Sequence, residues 1–167
     1  MEEQFSEMAP RVYRLVLRLC GDPERANDLA QEALTRGWQS RNQLRSADAL
    51  PTWLFRIALR TWHDGLRRDQ RILQSDSNVE GVPAQDSEPI EITIGNELGA
   101  HIWKEMETLP DRQKQVLHLR VIEQLEISEI AEVVGIRPQN VRSNLAAARK
   151  KLRESLKSMN AIQRVTE

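Results

Sequence analysis

The sequence has a single cysteine and only seven aromatic residues among its 167 positions. One cysteine cannot form an internal disulfide, so Cys20, which lies in an apolar helical stripe, is predicted to be a small core residue in a reducing compartment. No apolar run approaches the roughly 18 residues of a membrane span, and the acidic, polar amino terminus is unlike a signal peptide. These absences predict a cytoplasmic protein with no membrane span.

Residue patterns that build catalytic or metal sites are also sparse. The seven glycines are isolated, so there is no glycine-rich phosphate loop and no G-x-S-x-G nucleophile motif. His63, His101 and His118 have no cysteine or second histidine at metal-ligand spacing and are interpreted as surface or boundary residues. We therefore predict no catalytic activity, no metal and no cofactor.

Charge, in contrast, is plentiful and unevenly distributed. The net charge is only −1, yet residues 72–97 contain six acidic and no basic residues, together with serines, prolines and no sustained helical period. This composition predicts an exposed, flexible linker, within which a short helix could start near Ile92. The predicted domains on either side are 1–71 and 98–157, followed by a short tail at 158–167.

Helical periodicity dominates the first predicted domain. Apolar residues recur at three- and four-residue spacing up to Gly21, which ends the first helix. Asp22 and Pro23 then supply an N-cap and a proline at the first helical position, which starts a second helix that runs to about Gln39. After a polar loop, Pro51 opens a third helix. No segment alternates as a strand does, so the protein is predicted to be all-α.

The third helix combines aromatic and basic residues. Three aromatics are interleaved with four arginines: Trp53, Phe55 and Trp62 with Arg56, Arg60, Arg67 and Arg68. Aromatic faces stack on unpaired bases while arginines hold the backbone, a combination typical of single-strand binding. The alternative is that Trp53 and Trp62 anchor the core. Of the two, Trp62 is expected to be the more exposed, because it lies one turn before the basic pair.

Residues 109–153 have the pattern of a helix-turn-helix, in which Gly135 marks the turn. Two apolar stripes are predicted to face inward: Ile127, Ile130, Ala131 and Val134 before the turn, and Val141, Leu145, Ala148 and Leu152 after it. Residues 139–157 contain six basic residues and one acidic residue. Phosphate binding favours one sign of charge, whereas a solvated amphipathic surface, which is the alternative, usually mixes signs. The second helix is therefore predicted to enter the DNA major groove.

Two sets of motifs, in order along the chain, resemble a known family. Residues 21–32, 53–58 and 64–68 are similar to region 2 of bacterial RNA polymerase sigma factors. A later set resembles region 4: residues 109–113, 130–132, 135–136, 141–143 and 148–153. With only these two regions and a short linker, the chain is similar to the extracytoplasmic-function (ECF) group of the sigma-70 family.

The resemblance implies an all-α protein that binds core RNA polymerase and directs transcription initiation. It assigns core polymerase binding, through the β′ clamp helices, to Asp28, Gln31 and Glu32. It assigns recognition of the promoter −10 element to Trp53, Arg56, Arg60, Trp62, His63, Arg67 and Arg68, with the loop at 43–50 beside a flipped base. It assigns recognition of the −35 element to Gln139, Asn140, Arg142, Ser143, Ala146, Arg149 and Lys150, next to a surface that packs on the β-flap. Members of the group are usually held inactive by an anti-sigma factor, so such a partner is expected here.

Some positions depart from the family pattern. Arg60 replaces a common asparagine, Arg137 replaces the usual small polar N-cap, and Asn144 and Ala146 stand where arginine and histidine are frequent. The promoter sequence is therefore expected to be the protein's own. The competing hypothesis is a homodimeric helix-turn-helix regulator that binds duplex operators without core polymerase and uses its first half as a sensor or dimerisation domain.

Overall fold

The computed structural model describes residues 1–75 and 97–165, and all regular structure in these two ranges is helical. The α-helices are α1 (Glu2–Cys20), α2 (Pro23–Gln39), α3 (Leu50–Ser75), α4 (Glu97–Glu107), α5 (Asp111–Val121), α6 (Ile127–Val134) and α7 (Pro138–Val165). Two single-turn 3₁₀ helices, Arg41–Gln43 and Ala47–Ala49, lie in the connection between α2 and α3. The predicted all-α class is confirmed.

Local signals in the sequence account for the first helix boundaries. Gly21 ends α1 in the left-handed conformation, with φ of 70°, and its N–H donates to the carbonyl of Leu17 at 2.9 Å. The Asp22 carboxylate then accepts hydrogen bonds from the backbone N–H groups of Glu24 and Arg25, at 2.9 and 3.1 Å. These bonds satisfy two of the amide groups that the first turn of a helix leaves without partners.

The first compact unit contains α1, α2 and α3, which pack against one another as a three-helix bundle. The six apolar residues predicted for the inward face of α1 are all buried: Phe5, Met8, Val12, Leu15, Val16 and Leu19. In α2 the buried stripe is made mostly of small residues, Ala26, Leu29, Ala30 and Ala33, whereas Leu34 and Trp38 are only half-buried. A Cβ atom at Gly37 would lie 2.6 Å from Leu54 Cδ2, so α2 and α3 approach closely there.

The second compact unit contains α4, α5, α7 and the first five residues of α6. Within it, α7 packs against α4 and α5. Val141, Leu145 and Ala148 form the buried face of α7, as predicted, and Leu152 continues it as a half-buried residue. Ile130 and Ala131 are likewise buried in α6, while Ile127 and Val134 are half-buried.

Two helices extend beyond their expected ends. The linker is predicted to begin at Ile72, but α3 continues to Ser75. The tail is predicted to begin at residue 158, but α7 continues to Val165, because residues 139–165 contain neither glycine nor proline to end it. Most of the predicted linker, residues 76–96, lies outside the described residues, and so does the proposed short helix near Ile92.

Candidate nucleic-acid and polymerase interfaces

The helix-turn-helix owes its geometry to a cap at each end of α6. Glu126 and Glu129 form a reciprocal capping box at the start, in which the Glu129 carboxylate accepts from the Glu126 N–H at 2.7 Å. Gly135 ends α6 with φ of 71°. The Arg137 carbonyl then accepts from the N–H groups of Asn140 and Val141, so Arg137 occupies the N-cap position of α7. The turn is therefore short: only Ile136 and Arg137 lie between the left-handed Gly135 and Pro138, the first residue of α7.

The face of α7 opposite its buried stripe is exposed. All seven residues predicted to contact the −35 element lie on exposed positions: Gln139, Asn140, Arg142, Ser143, Ala146, Arg149 and Lys150. The structure thus brings these residues to the solvent side of one helix, which is the arrangement that major-groove reading requires. Their individual roles remain predictions.

Two polar side chains near the start of α7 bond to their own helix. The Ser143 hydroxyl donates to the Gln139 carbonyl at 3.0 Å, and the Asn144 side-chain amide donates to the Asn140 carbonyl at 2.8 Å. Such bonds to the preceding turn use the single donor of Ser143 and one of the two amide N–H donors of Asn144 within the helix. In this geometry Ser143 can contact a base edge only as an acceptor.

The exposed basic residues of α7 differ in the contacts that they make. Lys151 donates to the Thr108 carbonyl at the end of α4, with Nζ and O 3.1 Å apart. A hydrogen bond of 3.0 Å between His101 and Ser155 joins α4 and α7 again. Lys150, in contrast, is 75% exposed and lies 4.0 Å from Glu154. Both lysines are exposed, but Lys151 joins α7 to the end of α4, whereas Lys150 contacts an acidic residue of its own helix.

A buried histidine in α5 corrects the interpretation of the histidines as surface or boundary residues. His63 and His101 are half-buried, but His118 is only 2% exposed and its Nε2 lies 3.5 Å from Oε1 of Glu123, which is 7% exposed. The next residue, Gln124, has φ of 56°, a left-handed conformation uncommon for a non-glycine residue. The pair lies where α5 leads into the connection to α6. Sequence reasoning missed it because the two residues meet only when the chain turns at the end of α5.

The aromatic residues of α3 are mostly core residues, which corrects the expectation for Trp62. Trp62 is 2% exposed and Phe55 is fully buried, whereas Trp53 is half-buried. Phe55, Ala58 and Trp62 follow a three- and four-residue spacing, so they form the inward stripe of α3. Trp62 therefore cannot stack on a base in this conformation, and the expectation that it is more exposed than Trp53 is wrong.

The basic residues of α3 remain accessible. Arg60, Arg67 and Arg68 are exposed, and Arg56 and His63 are half-buried. Together with the half-buried Trp53, they make up the part of the predicted −10 surface that the structure leaves accessible. Four arginines and one aromatic edge still match the requirements of single-strand binding. Base stacking is expected to contribute less to that binding than the sequence suggested, because only Trp53 is accessible.

The residues predicted to bind core polymerase lie on one side of α2. Asp28 and Gln31 are exposed and Glu32 is half-buried. Glu32 pairs with Arg36 at 2.6 Å and with Arg68 of α3 at 3.1 Å. The predicted polymerase-binding side of α2 therefore contacts the predicted −10 surface through an ion pair, a connection that the sequence did not reveal.

Further ion pairs fasten α2 to α3. Arg36 also lies 3.2 Å from Asp64 and 3.4 Å from the hydroxyl of buried Thr61, and Arg25 pairs with Asp69. Each is partly exposed and so contributes modestly to stability, about 0–1 kcal/mol. Their shared effect is to fix how the side chains of α2 are placed against α3.

Cys20, predicted to be a small core residue, is the last residue of α1 and is only half-buried. Its thiol is partly buried and donates to the Asp22 carbonyl at 3.4 Å. Burial raises the pKa of the Cys20 thiol, although the hydrogen bond at Asp22 and the charge of Arg25 oppose the shift. A raised pKa keeps the reactive thiolate scarce at neutral pH.

Neither metal-binding clusters nor membrane spans are found in the described ranges. No group of three or more histidine, cysteine, aspartate or glutamate residues within 1–75 and 97–165 is arranged to hold a metal ion. None of the helices in those same ranges combines the length and the apolar character needed to cross a membrane.

Comparison with known proteins agrees with this geometry. The family model for sigma-70 region 2 matches residues 5–72, and that for sigma-70 region 4 matches residues 101–152. The chain therefore belongs to the sigma-70 family of RNA polymerase sigma factors, in its ECF group.

Individual relatives are named as ECF sigma factors. The chain is 32% identical over 157 residues to the ECF RNA polymerase sigma factor SigE of Mycolicibacterium smegmatis, and this match covers 93% of the chain and 61% of the relative. It is 27% identical over 158 residues to the ECF sigma factor SigW of Bacillus subtilis, covering 89% and 84%. The chain thus spans about three-fifths of the length of the first relative and most of the second.

Solved structures share the fold. The sigma factor RpoE from Bartonella quintana, solved in complex with the anti-sigma factor NepR, matches with a TM-score of 0.75 at 21% identity, covering 93% of this chain and 96% of that one. CnrH, solved in complex with the cytosolic domain of CnrY, matches with a TM-score of 0.60 at 21% identity, covering 95% and 90%. At this level of identity the likeness establishes the fold.

Proposed function

We propose that this protein binds core RNA polymerase and directs it to a bipartite promoter as a sigma factor. The observation that carries the proposal is the presence, in one chain and in the family order, of a region 2 unit and a region 4 helix-turn-helix. The polymerase supplies the chemistry of RNA synthesis, and this chain has no catalytic activity of its own. Its site of action is the cytoplasm, where the polymerase works.

In this proposal the exposed face of α7 reads the −35 element in the major groove. Arg142 contacts a guanine edge, the contact for which arginine is best suited. Arg149 and Lys150 bind phosphates, because they extend the basic face along the helix and each neutralised phosphate releases counterions. Ala146 offers only a methyl group, so it contributes shape and an apolar contact rather than a hydrogen bond.

The first unit engages the −10 element and the polymerase. Arg60, Arg67 and Arg68 hold the backbone of the separated strand, and the accessible edge of Trp53 stacks near its bases. Asp28, Gln31 and Glu32 dock on the β′ clamp helices of the polymerase. Burial of Trp62 removes it from this set, so the arginines carry more of the contact.

An anti-sigma factor is the regulatory partner in this proposal. Support comes from the structure of the same fold in which the sigma factor RpoE is in complex with the anti-sigma factor NepR. CnrH, which shares the fold, was likewise solved in complex with a partner, the cytosolic domain of CnrY. Such a partner would act by covering the surfaces of α2 and α7 that polymerase requires.

Transcription in vitro tests the proposal. Purified full-length protein is added to core polymerase on a library of genomic fragments from its source, and the RNA 5′ ends are mapped. We expect discrete start sites that depend on the protein and that share two upstream elements. A set of start sites identical to that of core polymerase alone would refute the proposal.

A further inference from the structure

Glu32 is shared between two arginines that belong to different predicted surfaces. One carboxylate oxygen, Oε1, lies 2.6 Å from Nη2 of Arg36 on its own helix. The other, Oε2, lies 3.1 Å from Nη2 of Arg68 on α3. The Glu32 side chain is 32% exposed and that of Arg68 is 53% exposed, so both remain within reach of external partners.

The position of Glu32 is set from the core side. Arg36 holds Oε1 and also reaches Asp64 at 3.2 Å and the buried Thr61 hydroxyl at 3.4 Å. These contacts orient Arg36 and, through it, Glu32. The remaining oxygen of Glu32 is thereby directed at Arg68, one of the exposed arginines of the predicted −10 surface.

We propose that Glu32 is a positioning residue that holds Arg68 in the free protein and releases it for DNA when core polymerase engages the Glu32 carboxylate. The inference rests on the proposed function. A hydrogen-bond donor or cation of the polymerase at Oε2 competes with Arg68 for the same oxygen, and the freed guanidinium then binds a phosphate of the separated strand. Because coupling between two sites is reciprocal, DNA bound at Arg68 also makes Glu32 more available to polymerase.

The size of the coupling is limited by the strength of the ion pair. Partly exposed pairs of this kind are worth little because water and salt screen them. Releasing Arg68 should therefore change DNA affinity by about two- to fivefold.

The experiment uses the full-length protein without polymerase. Binding to fluorescently labelled oligothymidine is measured by anisotropy at low salt for wild type, E32Q, R68Q and the double variant. D28N is the matched control, since it also removes one negative charge from α2 but Asp28 makes no ion pair with any described residue. We expect E32Q to bind about two- to fivefold more tightly than D28N, and we expect this gain to vanish in the R68Q background.

Two results would overturn the coupling. Equal affinities of E32Q and D28N for oligothymidine would show that the loss of one negative charge explains the whole effect. A gain in affinity from E32Q that persists in the R68Q background would show that Arg68 is not involved. The same wild-type preparation is assayed for transcription with core polymerase. Lack of wild-type transcription refutes the proposed function, whereas normal transcription combined with either of those binding results refutes only the coupling.

Discussion

Trp53 and Trp62 lie on the same basic helix but in different environments. Trp62 is buried in the three-helix bundle, where its ring is tilted against His63 with centroids 4.7 Å apart. Trp53 is half-buried and lies near Gly37 of α2. At the scale of single residues, the first is a core residue and the second is the accessible aromatic.

Alanine substitution of the two tryptophans should therefore have opposite consequences. Trp62→Ala should lower the free energy of unfolding by about 3–5 kcal/mol, because it leaves a large cavity. Trp53→Ala should cost clearly less stability but should reduce promoter opening by the holoenzyme. Chemical denaturation measures the first effect, and permanganate reactivity of unpaired thymines measures the second. Equal destabilisation by the two substitutions would contradict these assignments.

The capping roles of some residues were predicted correctly from the sequence, whereas the burial of others was predicted wrongly for a physical reason. The roles of Gly21 and Asp22 follow from local backbone chemistry, which a short stretch of sequence contains. Trp62 and His118 were misplaced because burial depends on which side of a helix meets its neighbours. In α3 nearly every side between 53 and 62 has an apolar residue, so periodicity alone did not fix the register of the buried stripe.

At the scale of elements, α7 divides its basic residues between structure and recognition. All four residues are exposed, but Lys151 is bonded to the Thr108 carbonyl just after α4, whereas Arg142, Arg149 and Lys150 belong to the predicted −35 surface. A count of charges in the sequence could not separate these groups. The position of each residue around the helix and the location of α4 were both required.

Arg142→Ala and Lys150→Ala should affect −35 binding in different ways. Losing Arg142 should relax the preference at one base pair, by about 1–3 kcal/mol, because a guanine edge loses its bidentate partner. Losing Lys150 should weaken binding almost equally for all sequences. It should also reduce the slope of log affinity against log salt concentration by about one, because one phosphate contact is lost. Holoenzyme binding to promoters with single −35 substitutions, measured at several salt concentrations, tests both. A base-specific effect of Lys150→Ala would contradict the division.

The turn between α6 and α7 depends on the backbone of Gly135. Its φ of 71° is left-handed, and apart from its chain neighbours no described residue comes within 4 Å of where a Cβ would be, so a substitution there is penalised by conformation alone. Gly135→Ala should cost about 1–2 kcal/mol of stability. Gly135→Asn should cost less, because asparagine tolerates this conformation better. Thermal unfolding of the two variants makes the comparison, and equal stability of both with wild type would show that the turn does not need glycine.

At the scale of the whole molecule, two units are proposed to contact one promoter at two elements while both bind polymerase. Once one unit is bound, the linkage keeps the other unit close to its own promoter element and raises its effective concentration there. Neither unit therefore needs high affinity on its own. The fold class and the order of the two units were predictable from the sequence. The ion pair between Glu32 and Arg68 was not, because it joins residues 36 positions apart on two helices.

The central claim is that DNA recognition by this protein depends on core polymerase. The most direct test is the affinity for a promoter duplex, chosen from the mapped start sites, with and without core polymerase under identical salt conditions. The account predicts weak binding by the protein alone and a large gain in affinity and sequence preference once core polymerase is added. Tight, sequence-specific binding by the protein alone, with no gain from core polymerase, would contradict the account and favour a homodimeric helix-turn-helix regulator.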